Sequence, residues 1–307
     1  YSELIRAETG WSPEALSITL TIWSIGSGLG GVLAGFVLRR LSMRATIFIG
    51  MILQVGGYTL STLAGSTVLG GSIWFLYIFF GACAGIGSGF AYIPTMNVVV
   101  EWYPDKVGFA SGVMMFGLGV GTLALGSGAS FLAEAIGWRN AFYICAAVVL
   151  IVLLLDMFLI KKPDTVLPSQ TQEQKKAGVW GKEYTPSQML RRASFWLFFI
   201  WAVLGQTSNM IVSTHARQSA DEINAAGILA TMAVGVLHVF CSIGSIGFGT
   251  VYDKLGRKKT MLLESTVLIV GALLFVGSMY FASVTLMVIG LVVLGLVTGG
   301  LPATNSA

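Results

Sequence analysis

Charged residues are scarce in this sequence. Only 10% of its 307 residues are Asp, Glu, Lys or Arg, whereas 55% are hydrophobic and the mean hydropathy is +0.81. In a soluble domain about a quarter of the residues are charged, because they cover the surface that faces water. Such a low charged fraction excludes an ordinary soluble domain and indicates that most of the chain lies in lipid.

Reactive and metal-ligating groups are also scarce. The three cysteines, Cys83, Cys145 and Cys241, lie inside apolar stretches and form neither a disulfide framework nor a metal-ligand spacing. No nucleophile–base pair stands out, and no Gly-x-x-x-x-Gly-Lys-Ser/Thr loop marks a nucleotide-driven pump. We therefore expect a protein that is not an enzyme and that has no metal and no cofactor.

Nine apolar stretches make up most of the chain. A helix needs about 20 apolar residues to cross the hydrocarbon core of a bilayer, and these stretches follow one another with only short polar breaks. The sequence therefore predicts an all-α membrane protein that lies in the lipid bilayer. The predicted spans are residues 12–38, 45–65, 72–100, 108–133, 141–160, 195–212, 225–251, 261–281 and 285 to the end.

Basic residues are distributed unevenly around these spans. When the polar stretch 161–192 is placed in the cytoplasm, all but three of the eighteen Lys and Arg residues fall on the cytoplasmic side. Arg6, Arg139 and Arg217 are the exceptions. The positive-inside rule predicts this asymmetry. The pI of about 9.0 therefore reflects membrane topology, and we expect no nucleic-acid partner.

A repeated pattern relates the two halves of the chain. Residues 35–40 (GFVLRR) match residues 249–254 (GTVYDK) in the spacing from a glycine to a basic residue, at an offset of 214. Residues 92–97 (YIPTMN) match residues 300–305 (GLPATN) at an offset of 208. Duplicated halves are a common construction of secondary transporters, which hold the substrate near the bilayer midplane. We expect a first half over residues 1–160, a cytoplasmic linker over 161–193 and a second half over 194–307.

Residues 249–259 resemble the loop motif of the major facilitator superfamily, a glycine followed by Asp, a basic residue, Gly, Arg and further basic residues. Gly137-Trp138-Arg139 after the fourth span is also typical of that superfamily. Residues 85–94 and 102–108 resemble its oxalate/formate antiporter and monocarboxylate permease group. The resemblance implies the major facilitator fold, with two pseudo-symmetric helical bundles. It implies that this sequence is a fragment with nine of the twelve transmembrane helices, and that helices 1, 11 and 12 are absent from it.

The resemblance also implies alternating access, in which the loop motif braces the cytoplasmic side of the outward-facing state. The implied gate residues are Gly249, Asp253, Gly256 and Arg257. The first copy of the motif has Arg39 where the acid is expected, so we expect no bracing role there.

Ionisable side chains are rare inside the predicted spans, where they are costly and therefore default functional candidates. His238 lies about midway along the seventh span and is a candidate to bind a substrate carboxylate or to carry a proton. The alternative is a histidine that hydrogen-bonds a neighbouring helix. Asp156 and Glu264 lie within a turn or two of the cytoplasmic ends, and we expect both to reach the interface.

Neutral polar side chains complete the candidate substrate site. Gln54 and Tyr58 share a helix face, and Pro94 frees a backbone carbonyl one turn before it. The alternative for each residue is hydrogen bonding between helices. The candidate substrate-binding residues are Gln54, Tyr58, Tyr92, Asn97, Gln206, Asn209, His238 and Asn305.

The oxalate transporter pattern has an arginine eight residues before the loop aspartate, where this chain has Ser245. No Lys or Arg lies at mid-depth in these spans, and an anion in a desolvated site needs a positive partner. Oxalate is therefore disfavoured. We expect a secondary active transporter of a monocarboxylate such as formate, lactate or pyruvate in a bacterial cytoplasmic membrane, with a proton or a counter-anion as the coupled partner. The alternatives are a proton-coupled exporter of drugs or other hydrophobic compounds, and a non-transporting membrane sensor.

Overall fold

The computed structural model describes residues 2–65, 72–160, 186–223 and 227–306, and the regular elements in these ranges are helices. A π-helical stretch, Leu76–Ala84, continues directly into α4. The α-helices are α1 (Ser2–Thr9), α2 (Pro13–Val37), α3 (Met43–Ser61), α4 (Gly85–Trp102), α5 (Val107–Ile136), α6 (Trp138–Leu159), α7 (Pro186–Leu190), α8 (Ala193–Glu222), α9 (Gly227–Leu255), α10 (Arg257–Tyr280) and α11 (Val284–Ser306).

The predicted membrane spans are found in these helices. Eight helical segments of the described chain are long and apolar enough to cross a bilayer, and each overlaps a predicted span. The remaining predicted span, residues 108–133, falls within α5, which is 30 residues long. The prediction of an all-α membrane protein is therefore confirmed. Residues 161–185 of the predicted linker lie outside the described residues, and the division into halves stays a prediction.

Local sequence explains where several helices begin. The Ser12 hydroxyl accepts a hydrogen bond from the Ala15 N–H at 3.3 Å, with Pro13 as the first helical residue of α2. Ser42 caps α3 in the same way, accepting from the Ala45 N–H at 3.3 Å. A hydroxyl at this position satisfies an N–H group that has no acceptor within its own helix.

Two motif glycines form the turns before α6 and α10. Gly137 has φ +84° and Gly256 has φ +76°, a left-handed conformation in which a Cβ atom is strained. This conformation explains why both loop motifs of the sequence require glycine at these positions.

The chain divides into two compact units. The first comprises residues 1–98 and 123–162, and the second comprises residues 99–122 and 163–307. In the first unit α2 and α3 pack against the π-helical stretch and α4, and α6 packs against α3. In the second unit α11 packs between α9 and α10. Its core contains Leu237, Met287, Leu291 and Leu294, all of which are buried.

Glycines of the π-helical stretch and α4 allow close helix packing in the first unit. A Cβ atom on Gly85 would lie 2.6 Å from the Trp23 carbonyl oxygen, and one on Gly89 would lie 2.5 Å from the Ser27 carbonyl oxygen. Helices associate in lipid through such close contacts, because small residues let the backbones approach.

Candidate functional site

Asp253, in the last turn of α9, binds the beginning of α5. Its Oδ1 atom accepts a hydrogen bond from the Gly108 N–H at 2.8 Å, and its Oδ2 atom accepts one from the Phe109 N–H at 2.8 Å. The first N–H groups of a helix have no intrahelical acceptor and form the positive end of the helix dipole. The carboxylate therefore caps a helix that is remote from it in sequence.

The same two helices touch through glycine. A Cβ atom on Gly249 would collide with the Gly108 carbonyl oxygen, and one on Gly108 would lie 2.9 Å from Asp253 Oδ1. One turn earlier on α9, the buried Ser245 hydroxyl donates to the Gly112 carbonyl oxygen at 2.9 Å. Small residues on both helices are thus required for Asp253 to reach the N–H groups of α5.

Arg257 contacts α8, whereas Asp253 of the same motif contacts α5. Its guanidinium group lies 4.4 Å from the centre of the Phe198 ring of α8, an arrangement that favours a cation. Gly256 supplies the turn between α9 and α10. Of the four predicted gate residues, Gly249 and Asp253 contact α5, whereas Gly256 and Arg257 shape and position the turn that follows.

Tyr92 lines a cleft in the first unit. The cleft has a volume of about 460 Å³ and lies between α2 and α4. Its other lining residues are Ser27, Gly28, Gly31, Val32, Gly89 and Ile93. The Ser27 hydroxyl oxygen accepts a hydrogen bond from the Ser88 hydroxyl at 3.0 Å. The cleft therefore offers hydroxyl groups on an otherwise apolar, glycine-rich wall.

The other candidates in the first unit lie in different surroundings. The Tyr58 ring packs edge-on against Phe80 at 5.6 Å and against Phe142 at 6.1 Å. These contacts join α3 to the π-helical stretch and to α6. Asn97 is exposed on α4. The substrate-binding roles of Gln54, Tyr58 and Asn97 stay predictions.

In the second unit, two candidates have unpaired polar groups. His238 is partly buried near the middle of α9, and its imidazole has no hydrogen-bond partner among the described residues. The Asn305 Oδ1 atom is buried and also has no partner there. Buried polar groups are almost always hydrogen-bonded, so the Asn305 oxygen needs an explanation, whereas the imidazole is only partly buried.

Two further candidates in this unit differ in their partners. The Asn209 amide contacts the Cys241 sulfur at 4.0 Å, one turn of α9 beyond His238. Gln206 is exposed on α8. The structure thus places Asn209 against the helix that carries His238 and leaves Gln206 exposed.

Two carboxyl–threonine pairs are functional candidates that sequence reasoning missed. The Thr95 hydroxyl donates to Asp156 Oδ2 at 3.0 Å, joining α4 to α6. The Thr304 hydroxyl lies 3.2 Å from each carboxyl oxygen of Glu264, joining α11 to α10. Thr95 and Thr304 lie in the repeated segments 92–97 and 300–305. This repeat is the sequence signal that could have pointed to them. The expectation that Glu264 reaches the interface is wrong, because its exposure is 0%.

Arg139 is the centre of a polar cluster in the first unit, where α6 begins. It donates to the carbonyl oxygens of Thr62 and Ala64 at 3.1 Å each, and its guanidinium pairs with Glu8. The Trp138 indole N–H also donates to Glu8. The hydrogen bond from Arg139 is the main reason why the pKa of the Glu8 carboxyl lies below its ordinary value. This motif arginine is therefore a structural residue that ties α1, α3 and α6 together.

These features define a multi-pass helical membrane protein with a repeated loop motif and few, specifically placed polar groups. The sequence pattern of the Major Facilitator Superfamily matches residues 1–307, and the chain belongs to this family of transporters.

Curated relatives include carboxylate transporters. The chain is 27% identical over 267 residues to the oxalate:formate antiporter of Oxalobacter formigenes, covering 85% of this chain and 60% of that protein. It is 32% identical over 144 residues to monocarboxylate transporter 14 of Homo sapiens, covering 47% of this chain and 26% of that protein. The chain thus spans 60% or less of the length of these two relatives.

Solved structures confirm the major facilitator fold. The proton:xylose symporter XylE matches 99% of this chain and 76% of that chain with a TM-score of 0.66 and 16% identity. The fucose:proton symporter FucP of E. coli matches 99% of this chain and 78% of that chain with a TM-score of 0.63 and 16% identity. At this identity the likeness establishes the fold and nothing about the substrate.

Proposed function

We propose that the protein is a secondary active transporter of a small monocarboxylate such as formate, lactate or pyruvate, in a bacterial cytoplasmic membrane. Two named relatives, an oxalate:formate antiporter and a monocarboxylate transporter, support a carboxylate as the substrate class. The spans contain no Lys or Arg at mid-depth, which favours an anion of low charge over a dicarboxylate. The protein transports this anion rather than transforming it, with a proton or a counter-anion as partner.

The observation that carries the substrate class is the unpaired imidazole of His238. It lies near the middle of an apolar helix, where a polar group without a partner is costly. A bound carboxylate would accept a hydrogen bond from this imidazole. The unpaired Asn305 oxygen of the same unit is an acceptor, and it would receive a hydrogen bond from a donor group of the substrate, such as the hydroxyl of lactate. Tyr92 of the first unit supplies a phenol hydroxyl in the cleft between α2 and α4. We propose His238 and Asn305 as the main substrate contacts in the second unit, and Tyr92 as a separate candidate contact in the first.

The Asp253 contact serves as the gate in this proposal. Its two hydrogen bonds to α5 are charge-assisted, which makes them stronger than hydrogen bonds between neutral groups. The contact therefore stabilises one conformation of the cytoplasmic side, and its release accompanies the alternation of access. Arg257, held over Phe198, positions the turn from which Asp253 projects.

Transport assays test the proposal directly. The full-length protein in proteoliposomes should take up labelled formate, lactate or pyruvate in response to a pH gradient or to an internal counter-substrate. Indifference to every small carboxylate would overturn it. Accumulation of lipophilic dyes instead would favour the drug exporter, and the absence of any transport would favour the sensor.

A further inference from the structure

Glu264 is an acidic residue buried inside the second unit. Its exposure is 0%, and it lies seven residues after the beginning of α10 at Arg257. At the helical rise this is about 10 Å along the helix axis. Acidic side chains at such a depth in a membrane helix are rare and mark functional sites. The mechanism proposed above does not use this group.

Two neighbouring helices form a fitted site for the carboxyl group. The Thr304 hydroxyl of α11 lies 3.2 Å from both carboxyl oxygens. Gly300 leaves room for the carboxyl group, because a Cβ atom there would lie 2.9 Å from Glu264 Oε1. The same Cβ atom would lie 2.5 Å from Phe248 Cβ of α9, so Phe248 also packs against Gly300. The buried carboxyl group therefore lies against a hydroxyl and a glycine, and an aromatic side chain packs on the same glycine.

The helices that surround this site offer no cation to Glu264 among the described residues. α11 has no ionisable residue along its length. On α9, Tyr252 is one turn beyond Phe248, and Asp253 is bound to the first N–H groups of α5. Lys254 is exposed at the end of α9, and Cys241 and His238 lie about two and three turns before Phe248.

The remaining neighbours are α8 and α10 itself. The Trp201 indole of α8 donates to the Ser265 hydroxyl at 2.9 Å, and residues 193–214 of α8 include no ionisable side chain. On α10, the Arg257 guanidinium lies over the Phe198 ring. Lys258 and Lys259 are exposed. A negative charge on Glu264 would thus be buried without a counter-charge, which is strongly unfavourable.

We propose that Glu264 and Thr304 form the proton-binding site of the transporter, which rests on the proposed carboxylate transport. In the arrangement described here the carboxyl group is neutral and holds the proton. The proton comes from water on the side where the substrate enters and is released to water on the other side. Because one proton accompanies one monocarboxylate, the pair crosses without net charge.

The geometry also connects this site to the substrate. Thr304 directly precedes Asn305, the residue with the buried, unpaired amide oxygen. Pro302 lies between Gly300 and Thr304, and it interrupts the backbone hydrogen bonds of α11 at this point. Loss of the proton from Glu264 would therefore change its contact with Thr304, in a segment of α11 whose backbone hydrogen bonds are interrupted by Pro302. The same segment carries Asn305, a proposed substrate contact.

Two transport modes separate proton coupling from substrate binding. Counterflow exchanges substrate for substrate and needs no net proton movement, whereas uptake driven by a pH gradient does. We expect Glu264→Gln, a neutral isostere, to retain counterflow of labelled lactate in proteoliposomes but to lose pH-gradient-driven uptake by about tenfold or more. Glu222→Gln, at the exposed end of α8, is the matched control and should behave as the wild type in both assays.

Three outcomes would overturn the proton site. The first is wild-type gradient-driven uptake in Glu264→Gln, and the second is loss of both modes in a variant whose thermal unfolding midpoint is unchanged. If Glu264→Gln does not fold, Thr304→Val decides. We expect this variant to shift the half-maximal pH of uptake, because it removes the Thr304 hydroxyl that contacts both carboxyl oxygens. An unchanged profile would be the third contradicting result.

The wild type distinguishes the two proposals. A wild-type protein that performs counterflow of a carboxylate but shows no gradient-driven uptake would remove the proton site and leave the proposed function intact. A wild type that performs neither would remove the proposed function itself.

Discussion

Asp253 and Gly108 are 145 positions apart in the sequence, and the Asp253 Oδ1 atom accepts a hydrogen bond from the Gly108 N–H at 2.8 Å. Lys106, the residue before α5, accepts the first backbone hydrogen bond of the helix from the Ala110 N–H, but its side chain has no acceptor group. The carboxylate of α9 therefore supplies the cap that the local sequence of α5 lacks. A motif residue in the second half of the sequence thus determines how a helix near its middle begins.

Removing this cap should destabilise the protein. We expect Asp253→Ala to lower the free energy of unfolding by about 1–2 kcal/mol, because two N–H groups lose their acceptor and the helix dipole loses its counter-charge. Thermal unfolding in detergent measures the effect, and uptake assays measure the proposed gate. Asp105→Ala, an exposed neighbour of α5, is the control. Equal unfolding midpoints for the two variants would contradict the capping role.

Gly249 should tolerate no side chain. A Cβ atom at this position would collide with the Gly108 carbonyl oxygen, so we expect Gly249→Ala to cost about 1–3 kcal/mol and to separate α9 from α5. Gly247→Ala on the same helix is the matched control, because a Cβ atom there meets nothing within 4 Å. The control should be neutral or slightly stabilising, since alanine favours a helix. A harmless Gly249→Ala would show that the two helices do not pack as described.

The Glu8–Arg139 pair should make stability depend on pH in the acidic range. The pKa of Glu8 is lowered by the Arg139 hydrogen bond, so the pair contributes stability above the ordinary carboxyl pKa and loses it as the pH falls through the lowered value. Glu8→Gln should therefore unfold at a lower temperature than the wild type at neutral pH and at the same temperature in strong acid. Glu8 is half-exposed, which keeps the effect small.

The control for this pair is Glu134→Gln, which removes an exposed carboxylate without touching Arg139. Thermal unfolding measured from neutral to strongly acidic pH compares the three proteins. A difference between Glu8→Gln and the wild type that stays constant with pH would contradict the assigned cause.

His238 should matter for transport, whereas the second histidine should not. We expect His238→Gln to weaken lactate binding by about tenfold, the loss of one hydrogen bond to a charged group. His215→Gln is the matched control, because His215 is exposed on α8 and pairs with Gln218 at 2.9 Å. Counterflow at varied lactate concentration measures both variants. Wild-type affinity in His238→Gln would assign the imidazole to packing between helices.

Several residues of the candidate site could be predicted from the sequence, because each motif spans only a few neighbouring residues. The turn glycine Gly256 and the carboxylate of Asp253 follow from a spacing of a few residues, and Gln54 and Tyr58 share a face because they are four apart. Their partners could not be predicted, since Gly108 and Phe198 come from other helices. Glu264 illustrates the limit most clearly. Its position near a helix end predicts exposure, yet a glycine and a threonine about 40 residues away enclose it.

The sequence by itself determined that the chain is a helical membrane protein, because the hydrophobic effect acts on each span separately and needs no knowledge of its neighbours. It also determined the caps at Ser12 and Ser42, which depend on contacts only three residues apart. The tertiary structure alone decided which polar groups are paired. Asp253 bound to α5 and Glu264 bound to Thr304 both arise where glycines let helices approach, and that approach depends on residues far apart in the chain.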